Sequence, residues 1–151
     1  MAHIYEYKPP HKLTALHIRR GLHPMNVHQD VVNRITIPPT EDRDASFQYS
    51  AEKLTTSAIT QIYHYMIEGG LDYGLLTTGE TIVFLKIDWE DPETLFYHVA
   101  EPKAEALAHP EHSDLCTAVA QYLAFTLIAL NSLEGQHGQE ERQNAMGILD
   151  T

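Results

Sequence analysis

The chain has 151 residues, 43% of them hydrophobic, which suits one domain with a real core. Ten Lys and Arg stand against 21 Asp and Glu, a formal charge of −11 that argues against the broad basic face of a general nucleic-acid binder. A single cysteine, Cys116, rules out an intrachain disulfide and fits a reducing, cytoplasmic setting for a soluble protein.

Charge is uneven along the chain. Lys8, Lys12, Arg19, Arg20 and Arg34 against Glu6 and Asp30 leave residues 1–40 at +3 and the remainder at −14. A small basic mouth is the most this permits. Nothing at the N-terminus reads as a leader. The longest apolar run, Leu115 to Leu130, is shorter than the about 20 residues a spanning helix needs and is expected to be a buried helix, with no membrane partner.

In chain order, Ile4 to Lys8 predicts a strand with Ile4, Glu6 and Lys8 on one face and His3, Tyr5 and Tyr7 on the other. Pro9-Pro10 stop it, since proline cannot donate to a ladder. Leu13 to Leu22 has helical spacing, and a short helix is expected from Asn26 to Asn33. The polar, proline-bearing stretch Ile37 to Asp44 reads as an exposed loop. Ser50 to Gly69 is the clearest helix, with Leu54, Ala58, Ile62, Tyr65 and Met66 as its apolar stripe and Gly69-Gly70 as its stop.

Strands follow at Tyr73–Thr77, Thr81–Ile87 and Thr94–Ala100, the first two joined by a tight turn at Thr78-Gly79. The almost wholly apolar run of the second suggests that both sheet faces are covered. Glu101 to His112 reads as an acidic connection, and Ser113 as the cap of a helix running to about Leu133. The expected organisation is one domain over residues 1–133 and a polar, mobile tail over 134–151.

These segments, in this order, resemble a fungal group of the PD-(D/E)XK nuclease superfamily. The resemblance is carried by Glu6-Tyr7-Lys8 with Pro10-His11-Lys12-Leu13-Thr14, Gly21-Leu22, Gln61-x-x-x-Tyr65-Met66-Ile67, Leu71-x-Tyr73-Gly74, Thr78-Gly79-Glu80 and Phe84-Leu85. It implies an α/β (α+β) fold, an abridged nuclease-like mixed sheet flanked by helices. It also implies that Glu6 would ligate Mg²⁺, that Lys8 would be its electrostatic partner, and that Gln61 and Tyr65 would support them from the adjacent helix. The superfamily's preceding aspartate strand is expected to be absent, with no room ahead of Met1. Glu80 or Asp72 would replace that aspartate only by coincidence. The uncovered sheet edge beside the Glu6 strand predicts a homodimer.

Among ten histidines no pair has firm zinc spacing, His23 and His28 being five apart. His11 and His17, just past the Glu-x-Lys strand, are the candidate general acids or bases. The expected function is therefore metal-independent acid–base chemistry on a small organic molecule, of isomerase or cyclase type and without a cofactor, carried by Glu6, Lys8, His11, His17, Gln61 and Tyr65. The alternatives are a Mg²⁺-dependent nuclease and a catalytically inactive binding or scaffold module. Nucleic acid is disfavoured as a partner on charge.

Overall fold

The computed structural model describes residues 3–25, 41–131 and 137–149. Its first strand, β1 (Ile4–Tyr7), lies parallel to β2 (Tyr73–Thr77), with Ile4 opposite Gly74 and Glu6 opposite Leu76. Parallel neighbours cannot be joined by a tight turn, so the chain crosses over through α1 (Ala15–Gly21) and α2 (Arg43–Gly69). β3 (Ile82–Ile87) and β4 (Leu95–Ala100) add antiparallel, giving a mixed sheet in the order β1-β2-β3-β4. Then come α3 (Pro102–Ala108), a 3-10 turn over Pro110–Leu115, α4 (Ala118–Asn131) and α5 (Gln139–Leu149). The result is a mixed α+β fold with helices packed on a four-stranded sheet, as expected, and each strand begins within one residue of its expected start.

Local chemistry sets the boundaries. The Pro9 carbonyl accepts from the Lys12 and Leu13 amides at 2.9 and 3.1 Å, turning the chain out of β1. Thr14 then caps α1, its hydroxyl accepting from the His17 amide at 3.1 Å. α2 is seven residues longer at its start than expected, because Asp42 caps it by accepting from the Ala45 amide at 3.1 Å. Polar residues at an exposed first turn look like a loop in sequence. Gly70, with φ of 66°, ends α2 in the left-handed conformation glycine tolerates. The short helix expected at Asn26–Asn33, and residues 37–40 of the expected loop, lie outside the described residues.

The two sheet faces differ. Leu76, Val83, Leu85 and Ile87 point toward α2 and pack with Ile59, Ile62, Met66 and Ile67 in the main core. Leu75, Ile82 and Ala100 point the other way and meet Phe125 of α4, whose ring lies 4.8 Å from Phe84 and 5.5 Å from Tyr73. The Tyr122 hydroxyl donates to Thr77 Oγ1 at 2.9 Å. This second face is covered only in part, since Lys86, Phe96 and His98 on it are exposed.

Three expectations for the C-terminal third are corrected. Residues 102–108 form α3 where a connection was expected, with Pro102 at its first turn. α4 starts after Thr117, whose hydroxyl accepts from the Ala120 amide at 3.1 Å, and Ser113 belongs to the preceding 3-10 turn. Nor is α4 a buried helix. Phe125 and Ala129 are buried, but Val119, Leu123 and Leu127 are 76%, 60% and 54% exposed, because one side of the helix alone meets the sheet.

Within the polar tail, α5 is anchored by Ala145, which is 3% exposed in the main core. Ahead of it, the His137 ring stacks on Trp89 at 4.1 Å. One of its nitrogens lies 2.7 Å from Asp72 Oδ1, and the other meets Glu141. No helix among the described residues is long and apolar enough to cross a membrane.

α1 and α2 meet at Gly21, where an added Cβ would lie 2.3 Å from the Ala51 carbonyl oxygen. Gly21→Ala must therefore separate the helices and is expected to cost about 2–3 kcal/mol, read as a lower urea midpoint at unchanged slope. A midpoint within error of the parent would contradict that contact.

Tyr63 supplies a second check. Its hydroxyl is buried without a hydrogen-bond partner among the described residues; burial, then the nearby Glu93 and Asp91 charges, push its pKa up to about 12. With the folded pKa raised, stability from the neutral hydroxyl is fully present below about pH 10 and is lost as pH climbs through the folded value. Tyr63→Phe should be neutral or stabilising by up to about 1 kcal/mol at pH 7 and should flatten the alkaline loss. Urea unfolding at pH 7 and at pH 11 measures both; a clear destabilisation at pH 7 would reveal a partner for the hydroxyl.

Candidate functional site

Strand alternation puts Ile4, Glu6 and Lys8 on the α2 side of β1, and the Ile4 side chain packs against the main core there. The Lys8 ammonium lies 3.5 Å from Glu6 Oε1 and donates to Gln61 Oε1 at 3.0 Å. Gln61 in turn donates from its Nε2 to the Tyr65 hydroxyl at 3.4 Å, across one turn of α2. Four of the six expected site residues thus form one connected chain of polar groups, carboxylate to ammonium to amide to phenol. Their spacing reads correctly because β1 and α2 are rigid elements packed side by side.

The two histidines stand apart from this chain. His11 is exposed in the turn after β1. His17 serves the helix start instead. Its Nδ1 accepts from the Thr14 amide at 3.3 Å, completing a capping box, and its ring stacks on Phe47 at 5.0 Å. A capping histidine looks like a catalytic one in sequence, because the signal that separates them is the cap itself. Thr14 three residues before His17 was that signal.

The cluster is open to solvent. The Lys8 and Glu6 side chains keep 31% and 29% of their exposure, and Gln61 and Tyr65 are exposed on the outer side of α2. An ion pair this wet contributes little, about 0–1 kcal/mol. Lys8 carries three N–H donors and meets two acceptors, so the group can still donate outward, while Glu6 retains an oxygen able to accept. Such an arrangement suits recognition of a polar partner.

A Mg²⁺ ion fits these residues poorly. It is held by one or two carboxylates together with substrate phosphates, and here Glu6 contributes the one carboxylate with an ammonium beside it. Among the described residues no group of three or more His, Cys, Asp or Glu is placed to hold a metal. Asp72, one expected substitute, is bound to His137 ahead of β2, whereas Glu6 sits opposite Leu76, about 13 Å further along that strand. Glu80, the other, is exposed in the turn beyond the end of β2.

A bidentate charge pair lies elsewhere. Arg19 of α1 donates from Nε to both Glu101 oxygens, at 3.0 and 2.9 Å, at the end of β4. Hydrogen bonding from Arg19 holds the Glu101 carboxyl below the usual carboxylate range. This pair ties the crossover to the far strand and takes one of the basic residues out of the expected basic mouth.

Comparison with known proteins gives the setting. Residues 1–150 match the family model described as the Spore killer 2 N-terminal domain. The chain is 34% identical over 160 residues to the meiotic driver SPOK2 of Podospora anserina; the match covers 99% of this chain and 20% of that protein. The chain thus spans about a fifth of the length of this curated relative. No solved structure matches it. The match to a meiotic driver overturns the expected isomerase or cyclase chemistry on a small molecule, and the wet, solvent-open geometry of Glu6 and Lys8 gives that chemistry no enclosed site.

The openness of the cluster can be measured. A double-mutant cycle on Lys8→Met and Gln61→Ala is expected to give a coupling of about 0.5 kcal/mol in urea unfolding. A coupling above about 2 kcal/mol would mean a desolvated network that this geometry does not contain.

Proposed function

The chain belongs to the Spore killer 2 N-terminal domain family, and on that premise we propose that it works in a spore-killing, meiotic-drive system as a binding module on a nuclease-like framework. The observation that carries the reading is the solvent-open chain from Glu6 through Lys8 and Gln61 to Tyr65, in which Lys8 keeps a donor and Glu6 an acceptor for a polar partner. The PD-(D/E)XK resemblance enters here as ancestry. It accounts for a Glu-x-Lys strand parallel to the next strand and a Gln-x-x-x-Tyr helix lying beside it. In this reading the module needs no metal to bind, and its setting is the reducing interior of the cell, in keeping with the lone Cys116.

A second reading, a metal-dependent phosphodiesterase, draws on the same convergence of Glu6 and Lys8. It requires a further carboxylate beside Glu6, and among the described residues no group of three or more His, Cys, Asp or Glu is placed to hold a metal.

One experiment separates the two. The purified chain is incubated with single- and double-stranded DNA in about 10 mM Mg²⁺ or about 1 mM Mn²⁺, beside Glu6→Ala. No cleavage above the level of the Glu6→Ala protein is the expected result. Cleavage that disappears with Glu6→Ala would replace the binding reading with the phosphodiesterase.

A further inference from the structure

Among the described residues, α4 leaves a large apolar surface uncovered. Val119, Leu123, Leu127 and Leu130 are 76%, 60%, 54% and 47% exposed, and Leu115 just before the helix is 65% exposed. At about 100° per residue these four helix positions share one stripe, displaced from the buried Phe125 and Ala129 toward the side of Tyr122 and Thr126. That side faces β1: Thr126 Oγ1 lies 3.1 Å from the His3 ring nitrogen, and the Tyr122 ring meets Tyr5 edge-on at 6.3 Å. The stripe therefore continues onto Tyr5 and Tyr7, which are 55% and 51% exposed.

β1 is also an open edge. Its ladder partner among the described residues is β2 alone. The Lys8 amide donates to the Thr77 carbonyl, so by alternation the backbone groups of Tyr5 and Tyr7 point away from β2, toward solvent. Open edges recruit strands.

We infer that this continuous surface, the β1 edge with the α4 stripe, is the contact between two copies of the chain. Three observations select a second copy. First, residues 118–131 contain no Asp, Glu, Lys or Arg, in a protein of net charge −11, so two copies avoid mutual repulsion by meeting on this face. Second, the exposed aliphatic residues together offer on the order of 600 Å², already at the upper end of what monomers show. Tyr5 and Tyr7 bring this to about 800 Å², the share per partner in a standard stable interface.

Third, the edge is self-complementary. Antiparallel pairing of β1 with its copy about Tyr7 sets Glu6 of one chain opposite Lys8 of the other, twice over, as a two-fold contact requires. The Pro9 carbonyl is already bound by Lys12 and Leu13, which limits the ladder to the few residues before it and leaves the α4 stripe to supply most of the contact.

The test is the mass in solution at about 50 μM, a concentration well above the typical Kd of a standard-size interface. Light scattering should give about 34 kDa, twice the 17.1 kDa chain. Leu123→Asp/Leu127→Asp should give the mass of one chain with its helical circular dichroism retained, while Leu54→Asp, on the exposed side of α2, should leave the dimer intact. Should the double variant lose its helical signal, Val119→Asp takes its place with the same expected result. A parent protein of single-chain mass overturns the inference. A dimer that survives charge on the α4 stripe overturns it as well.

Discussion

Because β1 runs parallel to β2, the chain between them must travel back along the sheet, and α1 and α2 are the return path. That requirement places α2 against the face of β1 that carries Glu6 and Lys8, so Gln61 meets Lys8, with Tyr65 one turn on behind Gln61, without any loop taking part. It also demands the tight passage of α1 over α2 at Gly21. The polar chain on one side of β1 and the main hydrophobic core beneath it are consequences of one strand direction.

The opposite face follows a different logic. The hairpin and β4 extend the sheet beyond what one helix can cover, and α4 shelters its centre through Phe125, Tyr122 and Ala129. Among the described residues, five aliphatic side chains on the same helix, Val119, Leu123, Leu127, Ile128 and Leu130, stay largely exposed. A matched relative about five times as long shows that this domain type also occurs within larger chains, where each such module has neighbours.

How much of this was legible in the sequence depended on what kind of signal each feature leaves. The strands were legible because alternation and the Thr78-Gly79 turn are local. The convergence of Glu6, Lys8, Gln61 and Tyr65 was legible through a resemblance, since no local pattern links residues 53 positions apart. The place of His17 was not legible in the same way, since its capping bonds with Thr14 set it at the start of α1, apart from the polar chain. The exposure of α4 was not legible at all. Apolar periodicity tells which residues seek cover, and Leu115 to Leu130 carries that pattern clearly, but whether cover exists is decided by the area of the sheet beneath. The start of α2 was hidden for the reverse reason, its first turns being polar and solvated.

Trp89 is the chain's single tryptophan, and its ring lies face to face with the imidazole that precedes α5 while its Nε1–H donates to the Leu71 carbonyl at 3.3 Å. Its neighbours belong to the seam where the C-terminal helix closes over the end of α2, with Arg142 donating to the Glu68 carbonyl at 2.7 Å a few residues away. The protein consequently carries a built-in optical probe of one seam. Indole emission will register detachment of the last helix while remaining blind to loosening at the β1 edge, so a melting curve followed by fluorescence and one followed by backbone ellipticity are reports on two different parts of the molecule.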